Sequence, residues 1–147
     1  MMQRLRLALV AGVLAIATSG CGPSAPAPQV RLFTDDYSIA ISFDPSPPCA
    51  LEQVEFKIVV RDTKTGEPIE GGEGRIFATN EDRKSVDNGL RPGKELGTYY
   101  SNLMFVNAGT WAIGFQFRRD TTQRLQRAND WMQQILSEAP AGQSCNK

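Results

Sequence analysis

Apolar and polar positions alternate with a period of two along three clear stretches of the chain. In Tyr37 to Phe43, Tyr37, Ile39, Ile41 and Phe43 share one face while Ser38, Ala40 and Ser42 share the other. Val54, Phe56, Ile58 and Val60 repeat the pattern against Glu55, Lys57 and Arg61, and Trp111, Ile113, Phe115 and Phe117 do so against Ala112, Gly114, Gln116 and Arg118. This alternation predicts half-buried strands, because successive side chains of an extended chain point to opposite faces. Arg75 to Thr79 and Gly97 to Phe105 predict two further strands less cleanly. Turn chemistry separates them: Asp44-Pro45-Ser46-Pro47-Pro48, Thr63 to Pro68, and a polar stretch Asn80 to Lys94 with turn signals at Asp87-Asn88-Gly89 and Arg91-Pro92-Gly93. From Asp120 the period changes. Asp120 with Gln123 has the spacing of a capping box, and Leu125, Ala128, Met132, Ile135 and Leu136 recur at helical spacing up to Ala139-Pro140. The spacing predicts an amphipathic helix from about Thr121 to Glu138. The expected fold is mainly β, an antiparallel sandwich over residues 29–118 followed by one C-terminal amphipathic α-helix and tail over residues 119–147.

The first residues have a different character. Arg4 and Arg6 precede an uncharged run from Leu7 to Cys21 that ends in Thr18-Ser19-Gly20-Cys21. A basic start, a short apolar stretch and small residues before a cut site predict a signal peptide over residues 1–20. Small residues directly ahead of a cysteine resemble the lipobox of bacterial lipoproteins, which implies acylation of Cys21 as the new N-terminus. A plain secretory signal cut near Ala17 or Gly20, or an unprocessed anchor helix, are the alternatives. Gly22 to Pro28, rich in Pro and small residues, has almost nothing to bury and reads with Cys21 as a tether over residues 21–28. At about 3.1 Å per residue in an extended proline-rich conformation it is expected to hold the domain roughly 20 Å from the membrane. Gly22 after the cysteine, where Asp would signal retention at the inner membrane, favours the periplasmic face of the outer membrane in a Gram-negative cell. Otherwise the outer face of the cytoplasmic membrane is expected.

Removing the first 20 of 147 residues takes away Arg4 and Arg6 and leaves 14 basic against 16 acidic residues. With no run of Lys or Arg to follow a phosphate backbone, nucleic acid is not an expected partner. If Cys21 carries lipid, Cys49 and Cys145 remain as an even pair in an oxidising compartment, and a disulfide between them is expected; two free thiols or a soft-metal pair are the alternatives.

Four pieces of the chain, Val54 to Asp62, Thr65-Gly66-Glu67-Pro68-Ile69, Gly97-Thr98-Tyr99-Tyr100 and Gly109-Thr110-Trp111-Ala112-Ile113, resemble the YtkA-like and FixH-like group of small bacterial envelope domains. The resemblance spans about residues 37–117 and implies an immunoglobulin-like sandwich that is non-enzymatic and tethered or secreted. Some members of that group are linked to assembly or metal handling at respiratory enzymes. The metal link does not carry over, because copper-handling relatives would show His and Met ligands and this chain contains no histidine.

The lack of His also removes Ser-His and Cys-His nucleophile activation, His-containing zinc sites and the commonest general base. No cofactor, metal site or catalytic residue is expected. Met104 and Met132 sit at apolar periodic positions that predict core packing, and so does Trp111. The remaining candidates for binding are Glu67, Glu70 and Glu73 around Gly71-Gly72-Glu73-Gly74, which otherwise read as a solvated acidic turn, and Trp131 at the margin of the apolar stripe. The sequence therefore points to a lipid-anchored binding or assembly-support module acting on another envelope protein. The alternative is a small-ligand or cation-binding lipoprotein associated with a transporter, using the Glu67 to Gly74 turn.

Overall fold

The computed structural model of the protein describes residues 28–137. The expected signal peptide, Cys21, most of the expected tether, Glu138 and the tail with Cys145 lie outside the described residues. The alternating stretches form β2 (Tyr37–Asp44), β3 (Gln53–Asp62), β4 (Glu73–Asn80), β7 (Thr98–Met104) and β8 (Gly109–Arg118), and around them stand β1 (Val30–Phe33), β5 (Ser85–Gly89), β6 (Arg91–Pro92), β9 (Gln126–Arg127) and β10 (Trp131–Ile135). One sheet has the order β1-β2-β3-β7-β6; the other runs β10-β8-β4-β5, with β9 also beside β8. Every pairing between these strands is antiparallel.

The two sheets meet face to face through the residues that the period of two turns inward. Tyr37 and Tyr99 of the first sheet meet Phe117 of the second edge-on, with ring centroids 5.1 and 5.4 Å apart. Phe105, just past β7, meets Trp111 in the same way at 5.2 Å. Ile39, Ile41, Phe56, Ile58, Ile76, Ile113 and Phe115 complete one continuous core. Trp111 is fully buried and its indole N–H donates to the Asn107 carbonyl at 3.1 Å, so its polar atom is satisfied inside the core.

The predicted helix is absent from residues 121–137, and the chain there is extended. β10 pairs with β8 from Trp131↔Ile113 to Ile135↔Gly109. The capping signal at Asp120 is satisfied locally instead: its carboxylate accepts the Thr122 N–H at 2.9 Å and its carbonyl accepts the Gln123 N–H at 3.2 Å, which closes a turn. The apolar residues of the supposed stripe divide accordingly. Ala128 and Ile135 are buried, whereas Leu125 is exposed and Met132 is 66% exposed on the outer face. Met104 also departs from its core expectation: it follows buried Leu103 at the end of β7, points outward and is 44% exposed.

β10 lies at the rim of its sheet, and its free side is partly occupied. The Leu136 N–H donates to the Pro48 carbonyl at 3.0 Å and its own carbonyl accepts the Ala50 N–H at 2.8 Å, so the loop after β2 pairs with the end of this strand. The Gln134 carbonyl accepts a hydrogen bond from the Gln133 side chain at 3.1 Å.

Candidate functional site

β3 ends in Asp62, and the turn after it is built on that side chain. The carboxylate accepts the backbone N–H groups of Lys64 at 2.8 Å and Thr65 at 3.0 Å, while Gly66, at φ 74°, closes the reversal by donating to the Asp62 carbonyl at 2.9 Å. Arg119 reaches the same carboxylate at 2.8 Å. The Thr65 and Lys64 amides, followed by Arg119, favour the ionised form and hold the Asp62 carboxyl below its ordinary range.

The three glutamates singled out in the sequence do not converge. Glu67 and Glu70 line a shallow cleft of about 200 Å³ with Asp62, Thr65 and Arg119. Glu73 opens β4 and is ion-paired with Arg118 of β8, which turns it away from that cleft. Among the described residues no group of three or more His, Cys, Asp or Glu side chains is placed to hold a metal ion.

The glycines between these glutamates have a packing reason. A Cβ on Gly72 would stand 2.1 Å from the Phe117 ring, and one on Gly74 would stand 2.1 Å from the Gln116 carbonyl oxygen. The chain must pass this close to close the sandwich over Phe117. Tyr99 fastens the same segment, its hydroxyl donating to the Ile69 carbonyl at 2.6 Å and accepting the Gly72 N–H at 3.1 Å. Burial pushes the Tyr99 phenol up from its ordinary pKa.

Trp131 faces inward from β10 and packs against the core at its margin. Its indole nitrogen is buried with no hydrogen-bond partner among the described residues. The lipidation candidate Cys21 and the disulfide candidate Cys145 lie outside the described residues. Cys49 is buried at 2% exposure in the loop that pairs with Leu136.

A surface feature not singled out from the sequence lies at the opposite end of the sandwich from the Asp62 turn. Leu51, at φ 61° and 71% exposed, donates its N–H to the Phe105 carbonyl at 2.8 Å, which sets it beside Met104 and Val106, the latter 45% exposed. The left-handed backbone of Leu51 is unusual for a bulky side chain. Hydropathy alone could not distinguish these three from core residues, since exposure here is set by how the two loops meet.

No family model matches the chain, and no curated protein matches it. Among solved structures, a copper-bound variant of FetP from uropathogenic Escherichia coli is similar, with a TM-score of 0.52, 9% identity, and coverage of 78% of this chain and 94% of that one. At that identity the likeness concerns the fold. This chain has no His, and its two described methionines, Met104 and Met132, project from the outer faces of opposite sheets.

Proposed function

We propose that the chain is a lipoprotein of the cell envelope, acylated at Cys21, whose Ig-like sandwich binds or supports another envelope protein without catalysis. The observation that carries this reading is the uncharged run closing on Thr18-Ser19-Gly20-Cys21, directly ahead of a proline-rich tether and a β-sandwich. Attachment through lipid on Cys21 rests on that run and its cysteine; among the described residues no helix is long and apolar enough to cross a membrane. The Glu67 and Glu70 cleft is not adopted as a cation site, because Arg119 already supplies the positive charge beside Asp62. Crosslinking in the native membrane is expected to capture a discrete complex of this chain with another envelope protein. A chain that stays uncrosslinked, or links only to copies of itself, would refute the support role.

Cys49 and Cys145 are assigned to one disulfide. The chain passes Cys49 at Leu136, nine residues before Cys145, and nine residues can span up to about 30 Å. Such a bridge would tie the tail to the loop that pairs with β10, with about 2–4 kcal/mol a typical contribution. Mass mapping of an unreduced digest of envelope material should show the two cysteine peptides joined; recovery of both as thiols rules the bridge out.

A further inference from the structure

We infer that the apolar tip formed by Leu51, Met104 and Val106 rests on the phospholipid surface to which the chain is anchored, so that the sandwich stands on this end. The inference depends on the lipid-anchored reading above and adds an orientation to it.

The tether joins the fold at β1. Val30 lies across from Ile41 and Phe33 across from Ser38, so β1 runs away from the Leu51 end and the chain before Val30 arrives from the side of that end. Ile41 lies across from Ile58, which puts the start of β1 level with the middle of β3. From Ile58 back to Gln53 is five residues of strand, about 17 Å at roughly 3.3 Å per residue, and Leu51 lies beyond Gln53. The tether from Cys21 to Val30 is nine steps long, about 28 Å when stiffened by proline and about 17 Å as a flexible coil. A chain of that length laid along the strand direction would reach about as far as the Leu51 end. Counted from the Leu51 end rather than from Val30, such a tether would bring the tip within about 10 Å of the level of Cys21.

The chemistry of the tip fits that position. Three exposed apolar side chains lie at this end, Met104 at the end of β7 and Leu51 and Val106 on the adjoining loops, a small patch suited to the boundary between headgroups and acyl chains. Beside them the turn between β4 and β5 is joined to the β7–β8 loop by the Asn80 to Asn107 hydrogen bond at 3.0 Å and carries Glu81, Asp82, Arg83 and Lys84, two charges of each sign. A rim of both signs matches zwitterionic headgroups, which also present both.

The test uses the full-length lipidated protein in vesicles of zwitterionic phosphatidylcholine with brominated acyl chains. Val106→Trp places a fluorophore at the tip; Leu96→Trp places one at an exposed position of the opposite end, between β6 and β7. After subtraction of the wild-type signal from Trp111 and Trp131, the Val106→Trp emission is expected to lose most of its intensity to the brominated chains and the Leu96→Trp emission to be unaffected. If the protein floats with the vesicles but both variants are quenched alike, or neither is, the orientation is overturned while the anchor stands. If the wild-type protein does not float with the vesicles, the anchor is overturned and the orientation with it.

Discussion

Phe117→Ala is expected to destabilise the domain by about 3–5 kcal/mol, enough to lower the melting temperature by roughly 10–20 °C in a domain of this size. Phe117 is fully buried where three things converge: the Tyr37 and Tyr99 rings in edge-to-face contact, the Phe115 ring stacked at 6.2 Å, and the Gly72 backbone against the far end of its ring. Truncation opens a cavity between the sheets, and little around it can collapse. Tyr99 is fixed by its hydrogen bonds to Ile69 and Gly72, and the Tyr37 hydroxyl accepts the Arg119 N–H at 3.1 Å. Thermal melts followed by circular dichroism measure the effect, with Met132→Ala as the comparison, since an exposed outer-face residue should change stability by less than about 0.5 kcal/mol. A loss below about 1 kcal/mol at Phe117 would contradict the way the two sheets are joined.

Cys21→Ser is expected to abolish attachment through lipid altogether. Each buried methylene of an acyl chain contributes about 0.8 kcal/mol, so two or three chains make release negligible while their removal leaves only the small apolar tip. In detergent phase separation the wild-type protein should enter the detergent phase with a blocked N-terminus. The variant should remain as uncut precursor or appear in the aqueous phase. Wild-type protein in the aqueous phase, with a free N-terminus near Ala17 or after Gly20, would show a plain secretory signal instead.

The long strands were legible because both of their faces carry a signal. In β3 and β8 a buried apolar row alternates with polar or small residues over ten residues, and no other period fits. β1, β5 and β6 were missed for the opposite reason: four, five and two residues long, they are too short for a period to emerge, and β5 exposes nearly all of its side chains. The strand at the C-terminal end is not legible because its apolar residues do not alternate. Ala128, Met132, Ile135 and Leu136 fit a helix, whereas the inward row of β10 is Trp131, Gln133 and Ile135, with a polar residue in it and Met132 outside, and the open side of β8 decides the conformation. Five residues paired along a neighbouring strand outweigh a helix that would be marginal alone. The Asp62 turn was legible as a turn, but the separation of Glu73 from Glu67 and Glu70 depends on Arg118 in a distant strand, which no local pattern records.

The guarded rim of β10 matters for a chain confined to a surface. Lipid anchoring would raise the encounter rate between copies by restricting them to two dimensions, and an uncharged, proline-free strand such as Trp131-Met132-Gln133-Gln134-Ile135 is the kind that joins its counterpart in a neighbouring molecule. Pairing of Leu136 with the Pro48 to Ala50 loop and capture of the Gln134 carbonyl by Gln133 remove hydrogen-bonding groups from that rim before a second copy can use them. On a lipid-anchored chain, crowding would then favour contact with other proteins over growth of a shared sheet.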